Sequence, residues 1–182
     1  MASTHALDAL REGRDTWSAY KATAKGPVDL REANLSTLDL SGYDLSGVDL
    51  SGASLIGTQL SRSDLSDAFL KRATLIRADL SKANLAGALM DGAVCVGADL
   101  RRARLAGASM RKTSLIAADL SGADIEGVTL TEALTQGAKM PIGKNPAAPR
   151  PKPTLQDATT DFGKMIDKLE DTHGPVIPWN VY

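Results

Sequence analysis

Carboxylates are the most frequent ionisable side chains in this chain, 22 against 21 Lys and Arg. Asp39, Asp79, Asp99 and Asp119 fall on one twenty-residue spacing, and Arg62, Lys82 and Arg102 fall on another just beyond it. Paired carboxylates can do general acid–base work, but only where a cleft desolvates one of them and moves its pKa. A histidine could serve as base or metal ligand, yet His5 and His173 lie near opposite ends. The one cysteine, Cys95, stands where a Leu is otherwise found, which reads as a small core hydrophobe rather than a redox or metal thiol. Neither a phosphate-cradling loop, a metal-spaced His or Cys set nor a G-x-S-x-G is present in the sequence. The reading is a protein without catalytic residues, cofactor, metal or small-molecule substrate, and so not an enzyme.

The element that must position these charges is a repeat of five. Of the 21 residues numbered by multiples of five from Leu30 to Leu130, 17 are Leu; the others are Met90, Cys95, Met110 and Ile125. Two residues earlier, 13 of 21 are Ala, and after each Leu come small or polar residues, often Ser-Gly. A period of five fits neither the helical 3.6 nor the strand period of 2. A chain that turns a corner every five residues keeps each Ala and Leu inside. Glycines such as Gly42, Gly47, Gly92 and Gly97 suit the corners. Four corners make a square coil of twenty residues, and coils stack at about 4.8 Å by backbone pairing. Side chains fill such a coil and leave no internal pocket.

The tandem pattern A-[DN]-L-x-x resembles the pentapeptide repeat family. Ala33-Asn34-Leu35, Ala78-Asp79-Leu80, Ala83-Asn84-Leu85 and Ala98-Asp99-Leu100 match it letter for letter. The resemblance implies an all-β solenoid, a right-handed quadrilateral β-helix of about five coils over residues 27–140. It implies little about activity, because one fold hosts many functions. The register is expected to weaken at Thr135, which replaces a Leu, and a last unit to end at Met140.

Residues twenty apart should stack, which turns sequence into surface. One outward column reads Ser36, Ile56, Ile76, Val96, Ile116, Gln136, with Thr74 and Val94 beside it; Phe69 and Leu89 face outward on the adjoining side. Burying one such side chain is worth about 1.5–3 kcal/mol, so this stripe is expected to be covered. Its cover is either the chain's own tail, a partner, or a second copy. The Asp39, Asp79, Asp99, Asp119 column and the Arg62, Lys82, Arg102 column are expected to form a solvated wall of cross-coil salt bridges, each worth little. The same three cations also suit docking of an acidic partner. Lys71, Asp91 and Arg111 form a second alternating ladder.

Both ends depart from the repeat. Residues 5–22 read as one short helix with Leu7, Leu10, Trp17 and Tyr20 on a side, giving an N-terminal helical cap over 1–26. This lead-in also resembles that of some bacterial pentapeptide repeat proteins. Residues 141–153 form a Pro-rich linker. Residues 154–182 hold a C-terminal amphipathic helix and an aromatic tail, with Phe162, Met165, Ile166 and Leu169 on one helix face and Trp179 and Tyr182 in the tail.

The formal charge of −1 gives no reason for direct contact with nucleic acid, and no run of about 20 apolar residues suggests a membrane span. The lone cysteine and the acidic N-terminus suit a cytoplasmic protein. The expected function is a non-catalytic scaffold or adaptor that binds another protein or a second copy of itself. The family resemblance adds a DNA-mimicking protein that binds type II topoisomerases and protects against quinolones, and a secreted effector of the same fold.

Overall fold

A computed structural model describes residues 3–141. Of the expected linker only Pro141 falls among them, and the helix and tail of 154–182, with Phe162, Met165, Ile166, Leu169, Trp179 and Tyr182, lie outside them. Over the repeat, the residue before each Leu position pairs in parallel with the one twenty further along. The ladder runs from Asp29↔Asp49 to Asp119↔Lys139 without a skipped step. Each side is so short that only one residue bridges per level, so the pairing consists of isolated bridges rather than extended strands.

The backbone groups can be followed one by one. The Leu35 N–H donates to Ser54 C=O and the Thr37 N–H to Ile56 C=O, on the next coil. The Ser54 N–H donates back to Ala33 C=O. The Leu38 N–H closes the corner onto Leu35 C=O, and this set of four recurs at nearly every side. The third corner residue then needs a positive φ, as a type II turn requires. Every such residue from Glu32 to Gly137 has φ between 55° and 71°. Eleven are glycines; the other eleven, including Arg62, Arg72, Arg77, Lys82, Arg102 and Ala117, hold this conformation with a Cβ.

One donor per side is left over, the N–H just after each Leu, and an Asp or Asn side chain takes it at those corners that carry one. Asp39 accepts from Ser41 N–H (3.0 Å), Asp79 from Ser81 N–H (2.9 Å) and Asp119 from Ser121 N–H (3.0 Å). Asn34 does the same for Ser36 N–H (3.1 Å). The Asp or Asn of the repeat is thus the side-chain acceptor that completes the corner.

Inside, the Leu and Ala columns are buried from Leu30 to Ala123. Among the described residues, the three buried polar side chains are satisfied: Thr58 and Thr113 hydroxyls donate to Leu35 and Met90 carbonyls, and Ser63 to Leu60 C=O. The register does not weaken at Thr135. Ser114↔Leu134 and Asp119↔Lys139 bridge on either side of it, because the ladder uses the backbone and tolerates a Thr among the Leu positions.

The N-terminal segment is two helices, not one. α1 spans Thr4–Glu12 and α2 spans Arg14–Thr23. Gly13 between them has φ 126° and ψ 174°, a conformation open to glycine that ends one helix and starts the next. The break lets Ala6, Ala9 and Leu10 of α1 and Trp17 of α2 all be buried in the same core as the repeat. The Ser3 side chain caps α1 by accepting from Ala6 N–H, while the Ser3 N–H donates to Asp29 C=O (2.9 Å). Trp17 Nε1 donates to Asp44 C=O (2.6 Å), and Lys21 pairs with the Asp44 carboxylate.

Candidate functional site

The outward residues of each coil come in columns, and the ladder fixes their neighbours. Thr74, Val94, Ser114 and Leu134 form one bridged column. Ile56, Ile76, Val96 and Ile116 stand at the corner that follows it. Ile56 is 42% exposed, whereas Ile76, Val96 and Ile116 are only half-buried, because side chains at the coil spacing cover one another. Leu134, 45% exposed, extends the apolar surface beyond the residues picked out from sequence. Its signal was available: it lies two coils after Val94 in the same column. Phe69 and Leu89 bridge each other on the preceding side, one corner away, and are half-buried.

The charged wall differs from expectation. Asp39, Gln59, Asp79, Asp99, Asp119 and Lys139 do stack as one bridged column. Their carboxylates, however, turn to their own corners rather than across to Arg62, Lys82 and Arg102. Asp99 accepts from the Arg101 guanidinium (2.9 Å) as well as its N–H, and Asp119 meets Lys139 on the next coil (3.4 Å). Among the described residues, no ion pair within 4.0 Å engages Arg62, Lys82 or Arg102. The reason is local: the unpaired corner N–H sits two residues away from each Asp, closer than any column across the corner. In the second ladder, Asp91 likewise accepts from Ser109 Oγ (2.6 Å) and Arg111 N–H (3.0 Å).

These bonds set the carboxylate acidities. The Arg31 guanidinium, with the Arg31 N–H, holds Asp29 down to about 2. Hydrogen bonds from Ser41 lower Asp39, those from Ser109 lower Asp91, and those from Arg101 lower Asp99. Asp119 is lowered by Ser121 and then by Lys139. Cys95 is fully buried, and burial pushes its thiol up to about 12, far from the thiolate that redox or metal chemistry needs. Among the described residues, no group of His, Cys, Asp and Glu is placed to hold a metal ion, and no helix is long and apolar enough to cross a membrane. Among the described residues, two open hollows of about 420 and 300 Å³ lie beside α2, lined by residues such as Arg14, Asp39 and Tyr43 or Lys21 and Ser46.

A chain that bridges every twenty residues, with Leu inside and Asp or Asn completing many of its corners, defines a class by construction. The profile of pentapeptide repeats matches it in eight copies, over residues 29–67, 53–92, 68–105 and 93–132. The chain belongs to the pentapeptide repeat family. Members of that family are generally structural or binding proteins. It is similar to the pentapeptide repeat protein Rfr23 of the cyanobacterium Cyanothece 51142, at 34% identity and a TM-score of 0.51. That match covers 52% of this chain and 65% of Rfr23, just under two thirds of its length. It is also similar to alr5209 of Nostoc Pcc 7120, at 27% identity and a TM-score of 0.36, covering 70% of this chain and 84% of that one. A third similar structure is QnrB1, a plasmid-mediated fluoroquinolone resistance protein, at 24% identity and a TM-score of 0.37, covering 62% and 64%. No curated protein matches the chain.

Proposed function

We propose that this protein is a non-catalytic scaffold that binds another protein through the flat outward faces of its coil. In this reading the coil is right-handed and four-sided, as parallel crossovers favour. It makes about five turns between residues 29 and 139. α1 and α2 cap its first turn, with Trp17 as the pin, and so block edge-to-edge growth. The supporting observation is the column of Ile56, Ile76, Val96 and Ile116, carried on an unbroken backbone ladder that holds its spacing rigid. Ile56 is exposed and the rest of the row half-buried, and a contiguous apolar row open to water favours a partner. The buried Cys95 suits a reducing compartment, and we place the protein in the cytoplasm.

The test is affinity capture with the full chain against a variant carrying Ile56→Ser, Ile76→Ser, Val96→Ser and Ile116→Ser, with the mass of each in solution. Loss of a captured partner, or of a self-associated mass, at unchanged circular dichroism is the expected result. A variant that keeps every partner and the same mass sinks the reading. A second capture with the chain ending at Met140 asks whether residues 154–182 take part, in contact with the same chain or with a partner.

A further inference from the structure

We propose, resting on the scaffold reading, that the Val94/Val96 surface docks an acidic protein segment that carries apolar side chains along one side. The argument lies in what brackets those valines. The two corners flanking the Thr74–Val94–Ser114 column alternate long residues with glycines: Arg72 then Gly92 on one side, Arg77 then Gly97 on the other. A Cβ on Gly92 would meet the Arg72 Cγ at 3.6 Å, and one on Gly97 the Arg77 Cγ at 3.7 Å. Each arginine stem therefore lies over the bare glycine of the next coil, and the two stems, each carrying a cation, stand on either side of Val94 and Val96. The backbone confirms the adjacency: Arg72 N–H donates to Asp91 C=O and Arg77 N–H to Val96 C=O. Ile76 and Ile116 continue the apolar centre above and below.

The cations of this frame have spare capacity. Among the described residues, no ion pair within 4.0 Å engages Lys71, Arg72, Arg77 or Arg111, while Lys112 meets Glu132. Of the acids in the frame, Asp91 is occupied by Ser109 and Arg111 donors and Glu132 by Lys112. An apolar centre between cations selects an occupant with apolar side chains flanked by carboxylates, and excluding water there strengthens the charge contacts. The adjoining side argues against a broad anionic surface such as a bilayer or a duplex: beyond Arg77 stands the Asp79, Asp99, Asp119 column, which would repel it. A narrow segment lying along the frame avoids those acids.

The experiment is fluorescence anisotropy of the full chain with a labelled synthetic peptide that has Leu at helical spacing and Glu elsewhere, beside a copy with Lys in place of Glu. The Glu peptide is expected to bind, more weakly as salt rises, and the Lys copy to bind at least about tenfold more weakly. Arg72→Gln with Arg77→Gln should weaken the Glu peptide about tenfold or more, and Arg72→Glu with Arg77→Glu further. Circular dichroism checks the fold, and the Gln pair serves if the Glu pair fails to fold. Equal binding of both peptides, no change in the Gln pair, or tighter binding of phosphatidylserine vesicles than of the Glu peptide would overturn the proposal. If the Ile and Val substitutions abolish partner capture while the Gln pair leaves it intact, the scaffold reading stands and the acidic-segment proposal alone falls.

Discussion

Two neighbouring sides of the coil hang from one ladder and differ only in what they show to water. The side of Asp79, Asp99 and Asp119 spends its outward groups on the coil itself: each carboxylate completes a corner N–H. The side of Thr74, Val94 and Ser114 has no carboxylate at those positions, and its corner carries Ile76, Val96 and Ile116 instead. The first side therefore uses its carboxylates on the coil itself, although among the described residues Arg62, Lys82 and Arg102 at its corner stay out of ion pairs, whereas the second shows apolar side chains at the matching positions. Identical backbones thus carry one face whose carboxylates complete the fold and one whose outward groups are apolar, the face we propose for binding.

The comparison can be broken first at its shared core. Leu75→Ala behind the apolar side and Leu80→Ala behind the acidic side should each cost about 2–5 kcal/mol, and by similar amounts, in urea unfolding. A marked inequality would mean that the two sides do not share one close-packed interior. The next probe is pH. Hydrogen bonds hold Asp39, Asp91, Asp99 and Asp119 below the usual carboxylate range, and Asp29 is held down to about 2. A depressed carboxylate pKa adds stability that is complete above the unfolded value and is lost as pH falls through the folded one. Thermal melts should therefore drop between about pH 4 and pH 2, and Asp29→Asn and Asp99→Asn should flatten that drop; an equally steep fall in these variants would refute the assignment.

Smaller effects separate the two sides more finely. Asp79→Ala removes the acceptor of Ser81 N–H and should cost about 0.5–1.5 kcal/mol. Val96→Ser, which removes no such bond, should cost less in stability than the Leu changes and weaken partner binding instead; a reversed pattern would dissolve the distinction between a structural and a binding side. Least of all, Ala117 holds φ 56° beside Ile116. Ala117→Gly relieves a left-handed strain of about 1–2 kcal/mol but adds about 0.5–1 kcal/mol of unfolded-chain entropy. A net gain of about 0.5 kcal/mol is expected from the unfolding midpoint, and a loss would show that the Ala117 methyl packs on something that matters.

Much of this was legible in the sequence because the period is strict. The Leu and Ala columns point inward in any chain that turns every five residues, and stacking by twenties follows from four corners. That arithmetic brought Ile56, Ile76, Val96 and Ile116 into one column and Phe69 onto Leu89. It misplaced the partners of Asp39, Asp79, Asp99 and Asp119, because counting charges by column ignores the backbone N–H two residues away. It read Thr135 as a break because it judged register by side chains, whereas the ladder is held by peptide groups. It read one helix where Gly13 makes two, since apolar spacing does not reveal a change of direction at a glycine.

By itself, then, the sequence determined the repeat, its period and which residues face in or out, because side-chain alternation in a five-residue turn is a local property. Only the tertiary structure decided which donors the carboxylates satisfy and how Arg72 and Arg77 lie over Gly92 and Gly97. The carboxylate bonds need a corner N–H that is exposed only when the chain has turned, and the arginine–glycine contacts join successive coils, so they exist only once the coils are stacked.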